Sequence, residues 1–112
     1  VMPQPPSVPA IDVDAVAEDT LILDVREPDE YAAGHIANAL HMPMGSVPER
    51  IPELPDGQRI VVVCRSGGRS ARVTSYLRQE GLSAVNLDGG MRAWIAAGRP
   101  MTTDTGAEPT LI

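Results

Sequence analysis

The chain contains no lysine and no phenylalanine, and only one cysteine, one tryptophan and two tyrosines in 112 residues. A lone cysteine excludes an intramolecular disulfide and any paired-cysteine metal or redox motif. Without phenylalanine, the 43% of hydrophobic residues must build a core from Val, Ile, Leu, Ala and Met, with Trp94 filling one place in it. No apolar run approaches the roughly 20 residues of a membrane-spanning helix. The opening residues Val1-Met2-Pro3-Gln4-Pro5-Pro6 lack the basic and apolar regions of a signal peptide. The cytoplasm is therefore the expected location, and Val1 ahead of Met2 reads as a processed or an artificially introduced end. A net charge of -6 argues against nucleic acid or an anionic membrane as a partner.

What positive charge exists is all arginine, nine residues of it, and four of these (Arg65, Arg69, Arg72 and Arg78) fall between positions 65 and 78. An acidic chain has thus gathered cations around one segment. The length suits one domain with a modest core. Residues 1–9 hold four prolines and are expected to be extended, residues 10–100 form the domain, and residues 101–112 are a polar tail without periodicity.

Short apolar runs alternate with helical segments, the pattern of an α/β fold with a small, mostly parallel sheet flanked by helices. Asp12 is placed to cap a short helix reaching about Glu18, followed by a buried strand over Leu21 to Val25. Pro28 fits a first helical position, with Asp29 and Glu30 in the first turn and Gly34 beyond the last. Ala39 to His41 is a short strand candidate and Ser46 to Leu54 a short helix, Pro48 being admissible in its first turn. Pro55-Asp56-Gly57 turns the chain into Ile60-Val61-Val62-Val63, whose β-branched run without polar alternation reads as a buried parallel strand. A helix over Arg69 to Glu80 ended by Gly81, a strand over Ala84 to Leu87 and a helix over Gly90 to Ala97 complete the pattern.

The run at Ile60 breaks into Cys64-Arg65-Ser66-Gly67-Gly68-Arg69-Ser70 just before the helix. Two glycines let the backbone curl so that successive N–H groups point into a ring. The helix behind adds free amides and the positive end of its dipole. Amides, dipole and arginines all favour thiolate, so the Cys64 pKa is expected below the free value of about 8.5. An inert buried cysteine would have apolar neighbours; two Arg, two Ser and two Gly suit an anion instead. In such a fold ligands gather outside the carboxyl ends of the strands, so Asp24, at the end of one strand, comes beside the loop that begins at Cys64. Its carboxylate is expected to accept loop N–H groups or to pair with an Arg. His35 and His41 are read as structural and rim residues, not as a base for the thiol, and neither has a metal-ligand partner at useful spacing, so no metal is expected.

The cysteine loop resembles the active-site loop of rhodanese-type sulfurtransferases. Asp24-Val25-Arg26-Glu27-Pro28-Asp29-Glu30-Tyr31 with Gly34-His35-Ile36, the stretch Ala39 to Pro43, and Leu87-Asp88-Gly89-Gly90 with Trp94 and Gly98 resemble the family's other signatures, in order across about residues 10 to 100. Asn38 stands where that family usually has Gly, a position Asn can fill at positive φ. The resemblance implies a rhodanese-like fold and a double displacement. Cys64 would take the outer sulfur of a donor such as thiosulfate as a persulfide and pass it to a thiol or to cyanide, with a protein among the candidate sulfur acceptors. Arg65, Ser66, Gly67, Gly68 and Arg69 would bind the donor, the two arginines neutralising it. Asp24, Arg26 and Ser70 would support the site. No cofactor is implied, the carrier being the cysteine itself.

Other readings of the same residues are a non-enzymatic sulfur carrier, a redox sensor using a low-pKa thiol, and a phosphatase or arsenate reductase. The last pair uses a loop one residue longer between Cys and Arg; here four residues, Arg65 to Gly68, separate Cys64 from Arg69, a ring sized for one sulfur rather than a tetrahedral oxyanion.

Overall fold

Among the described residues, five parallel strands lie in the order β1-β5-β4-β2-β3, with β4 in the middle. They are β1 (Ala10–Ile11), β2 (Leu21–Asp24), β3 (Leu40–His41), β4 (Ile60–Val63) and β5 (Ala84–Leu87). The helices are α1 (Pro28–Ala33), α2 (Val47–Arg50), α3 (Gly68–Gln79) and α4 (Gly90–Ala96). The computed structural model describes residues 8–112, so most of the expected extended segment at 1–9 lies outside the described residues. Pro9 and β1 are within it: the Pro9 carbonyl accepts from Asn86 N at 2.8 Å, and β1 pairs with β5 through Ala10–Asn86 and Ile11–Leu87.

Alternation along β4 divides the core into two layers. Ile60, Val62 and Cys64 face Val73 and Leu77 of α3 and Val47 of α2, whereas Val61 and Val63 face Met91 and Trp94 of α4. All four β4 residues are fully buried, as a central strand covered on both faces requires. Trp94 lies in the second layer, with its indole N–H donated to the Pro100 carbonyl at 2.9 Å.

Three expectations are corrected. The helix expected from Asp12 to about Glu18 is a single 3-10 turn, Val13–Ala15, capped by Asp12. Ser46 to Leu54 is broken into the 3-10 turn Met44–Ser46, α2, and the 3-10 turn Ile51–Glu53, because Pro48 and Pro52 each start a turn but cannot donate within a continuous helix. Residues 101–112, read as a loose polar tail, are strapped across the domain. Thr102 and His35 exchange backbone hydrogen bonds of 2.9 and 2.7 Å, and Thr110 N donates to Ala33 O at 2.8 Å. Met101 and Leu111 pack against the α4 layer. Asn38 adopts φ 66°, the left-handed conformation expected of it.

Candidate active site

β4 ends where its neighbours β2 and β5 also end, and Cys64 is the first residue beyond it. The side chain sits on the floor of the following loop, the residue only 1% exposed. Three donors converge on its sulfur: Gly67 N at 3.1 Å, Ser70 Oγ at 3.2 Å and Ser70 N at 3.4 Å. Gly67 at φ 110° makes this turn, a conformation that would strain a residue with a Cβ. Burial pushes the Cys64 thiol up, but the hydroxyl and amide of Ser70 and the amides of Gly67 and Ser66 together outweigh it, leaving the pKa below the usual thiol range. These local donors, more than the arginines, account for that shift.

Two further elements hold the loop in shape. Asn86 of β5 donates Nδ2–H to the Gly67 carbonyl at 3.2 Å, and Ala71 N donates to the same oxygen at 3.0 Å. In a trans peptide N–H and C=O point opposite ways, so fixing this carbonyl fixes the direction of the Gly68 N–H at the start of α3. On the other side, Met91 N donates to Cys64 O at 2.8 Å and Arg92 N to Arg65 O at 3.0 Å. The backbone comes this close because position 90 is glycine: a Cβ there would stand 2.5 Å from Cys64 O and 2.8 Å from the Arg65 carbonyl carbon. The first amides of α4 thus brace the cysteine loop from behind.

The two arginines expected to neutralise the donor have different partners. Arg69 forms a two-pronged ion pair with Glu30 of α1, Nη1 to Oε1 at 2.7 Å and Nη2 to Oε2 at 2.8 Å. Arg65 donates its Nε–H to the Ile112 main-chain oxygen at 3.1 Å. Ser66 and Gly68 lie on the exposed rim of the loop.

Asp24 and Arg26 form a buried pair behind it. The Asp24 carboxylate accepts from Arg26 Nε at 3.0 and 3.2 Å, from Nη2 at 2.8 Å and from Arg26 N at 3.1 Å. Arg26 Nη2 also donates to Gly34 O at 2.8 Å, tying the end of β2 to the end of α1. Of the two roles open to Asp24, pairing with an Arg is the one observed. The histidines are held away from the sulfur: Tyr31 is stacked between His35 and His41 with ring centroids 3.8 and 4.2 Å away. His41 Nε2 is bonded to Arg26 O at 2.8 Å, and His35 faces Tyr31 O and Asp104.

Glu30 and Asn86 are the site residues that sequence reasoning missed. Glu30 reads locally as a first-turn acid of α1, a role it also fills by accepting from Glu27 N at 3.0 Å. Asn86 carried a signal, being the one amide in an otherwise apolar strand.

The chain that builds this site is similar to known proteins. A model of the rhodanese-like domain matches residues 11–97. The chain belongs to that family. A sulfurtransferase of Allochromatium vinosum is 43% identical over 93 residues, covering 82% of this chain and 87% of that protein. The thiosulfate sulfurtransferase GlpE of Pseudoalteromonas translucida is 37% identical over 81 residues, 71% of this chain and 77% of that protein. The crystal structure of a rhodanese-related protein from Thermoplasma volcanium superposes with a TM-score of 0.81 at 33% identity, covering 86% of this chain and 99% of that one. The rhodanese match takes in the cysteine loop, Asp24, Arg26, Glu30, Asn86 and Gly90, and stops short of the strap at 101–112. Among the described residues no helix is long and apolar enough to cross a membrane.

Proposed function

We propose that this rhodanese domain transfers a sulfane sulfur through a persulfide on Cys64, with a donor such as thiosulfate. The thiolate attacks the outer sulfur, a new S–S bond forms, and the bond to the sulfite sulfur breaks with its electron pair leaving on sulfite. A second nucleophile then attacks the terminal sulfur and restores the thiolate. Cyanide, leaving as thiocyanate, serves in an assay, and a thiol on a small molecule or a protein serves in the cell. The loop donors stabilise negative charge on sulfur before attack and after release, which is where preorganised N–H and O–H groups contribute most.

The observation that carries this reading is the convergence of Gly67 N, Ser70 N and Ser70 Oγ on one atom, Cys64 Sγ, within 3.4 Å. The phosphatase reading needs an arginine closing over an oxyanion. Arg69, one residue short of that position, is turned to Glu30. The test is thiosulfate-to-cyanide transfer in wild type and in Cys64→Ser. The substitution is nearly isosteric, so unfolding should change little while transfer is abolished; appreciable turnover in the variant would remove Cys64 as the nucleophile.

A further inference from the structure

The cysteine loop carries two arginines, and one of them, Arg69, is matched by a side-chain carboxylate. Glu30 contributes both carboxylate oxygens to Arg69, at 2.7 and 2.8 Å, on a side chain only 14% exposed. Arg69 immediately precedes Ser70, whose N and Oγ both bond the Cys64 sulfur. Hydrogen bonding to Glu30 raises the Arg69 guanidinium above its ordinary value against the opposing effect of burial, and the charge of Cys64 adds to the rise, which places the pair within the field of the reacting sulfur. Arg65 lies outside this pair, its Nε–H going to the Ile112 main-chain oxygen at 3.1 Å.

We infer that Glu30 is a specificity-determining residue that cancels the charge of Arg69 and so tunes the cradle to singly charged sulfur donors over doubly charged ones. The inference rests on the sulfur-transfer reading above and names its substrate class: monoanionic sulfane donors such as thiosulfonates or organic persulfides. Thiosulfate and methanethiosulfonate isolate the charge. Both present a terminal sulfur on an S–S bond to an oxidised sulfur; one leaves as sulfite, the other as methanesulfinate, and each delivers one sulfur to the thiolate with atoms and charge balanced. They differ by one unit of charge. A change in thiolate pKa acts on both alike and cancels in the ratio of their kcat/KM values.

Glu30→Gln keeps the shape of the side chain and an oxygen to accept from Glu27 N, so α1 retains its first-turn contact. Removing the carboxylate charge should raise kcat/KM for thiosulfate relative to methanethiosulfonate about fivefold to tenfold, the size of one unit charge acting at several ångströms in partly screened surroundings. Arg69→Gln, which leaves the Glu30 carboxylate facing the site alone, should shift the ratio the opposite way. In the double variant the ratio should return close to wild type. A purely structural Glu30 would change both donors equally, so a ratio that stays fixed in Glu30→Gln and in Arg69→Gln overturns the inference while leaving persulfide transfer intact. Absence of any sulfur on Cys64 with either donor would overturn the transfer reading and this inference together.

Discussion

The Ser70 hydroxyl stands 3.2 Å from Cys64 Sγ on a fully buried side chain, and the Ser70 carbonyl is itself held by Thr74 Oγ1 at 2.7 Å. A donor buried away from water at this distance favours thiolate over thiol. Ser70→Ala removes the hydroxyl and leaves both amides. Losing one hydrogen bond to a charged group costs about 1.5 kcal/mol and should raise the Cys64 pKa. The midpoint of iodoacetamide alkylation against pH should move up accordingly, with a rate about tenfold lower well below the wild-type midpoint. An unchanged profile would mean that the amides alone set the thiolate.

Glu30 should make the protein sensitive to acid. Its carboxyl is lowered from 4.5 to about 2, chiefly by the hydrogen bond to Arg69, against burial, with the Glu27 amide assisting. A carboxyl whose folded pKa is depressed contributes stability above its unfolded pKa, and that contribution is lost as pH falls through the folded one. The wild type should therefore lose about 1–2 kcal/mol relative to Glu30→Gln between pH 4.5 and about 2, after discounting for the partial exposure of the pair. Urea unfolding of both proteins across that window measures the difference. Parallel stability curves would contradict a strong Glu30–Arg69 pair.

Gly90→Ala tests the brace behind the loop. The new Cβ would meet Cys64 O at 2.5 Å, and the residue sits at φ 60°, so both crowding and the left-handed backbone oppose it. A cost of about 2–5 kcal/mol follows from adding the two. Because the displaced atoms belong to Cys64 and Arg65, alkylation of Cys64 should change along with the thermal midpoint. Ala at Gly81, which has φ 87° but open space around it, should cost less and leave alkylation as it was.

The strap at 101–112 should matter for stability. Deleting it removes the Thr102–His35 and Thr110–Ala33 hydrogen bonds and uncovers the layer on which Met101 and Leu111 pack. A loss of about 2 kcal/mol or more is expected from two partly buried apolar side chains and their backbone contacts, read as a lower thermal midpoint. A midpoint unchanged by the deletion would show that the segment only rests on the surface.

The strap also shows where sequence reading stops. Strands β2, β4 and β5 were legible because their β-branched and aliphatic runs have no use outside a buried parallel sheet. The cysteine loop was legible because its glycines, serines and arginines serve an anion and little else. The strap has neither periodicity nor an apolar run, and its order comes from hydrogen bonds to His35 and Ala33, far away in the chain, and from the packing of Met101 and Leu111. Glu30 was hidden for the same reason: its partner Arg69 lies 39 residues on, while its neighbours account fully for an acid in a first helical turn. Strand β1 is two residues long and exists through its pairing with β5, a contact no local pattern announces.

The central claim is that Cys64 carries the sulfur, and intact mass spectrometry of the protein after incubation with thiosulfate or methanethiosulfonate tests it most directly. The account predicts a gain of one sulfur atom, localised to Cys64 by peptide mapping, removed by cyanide and absent in Cys64→Ser. An unmodified Cys64 with both donors, or a sulfur adduct that persists in Cys64→Ser, would contradict it.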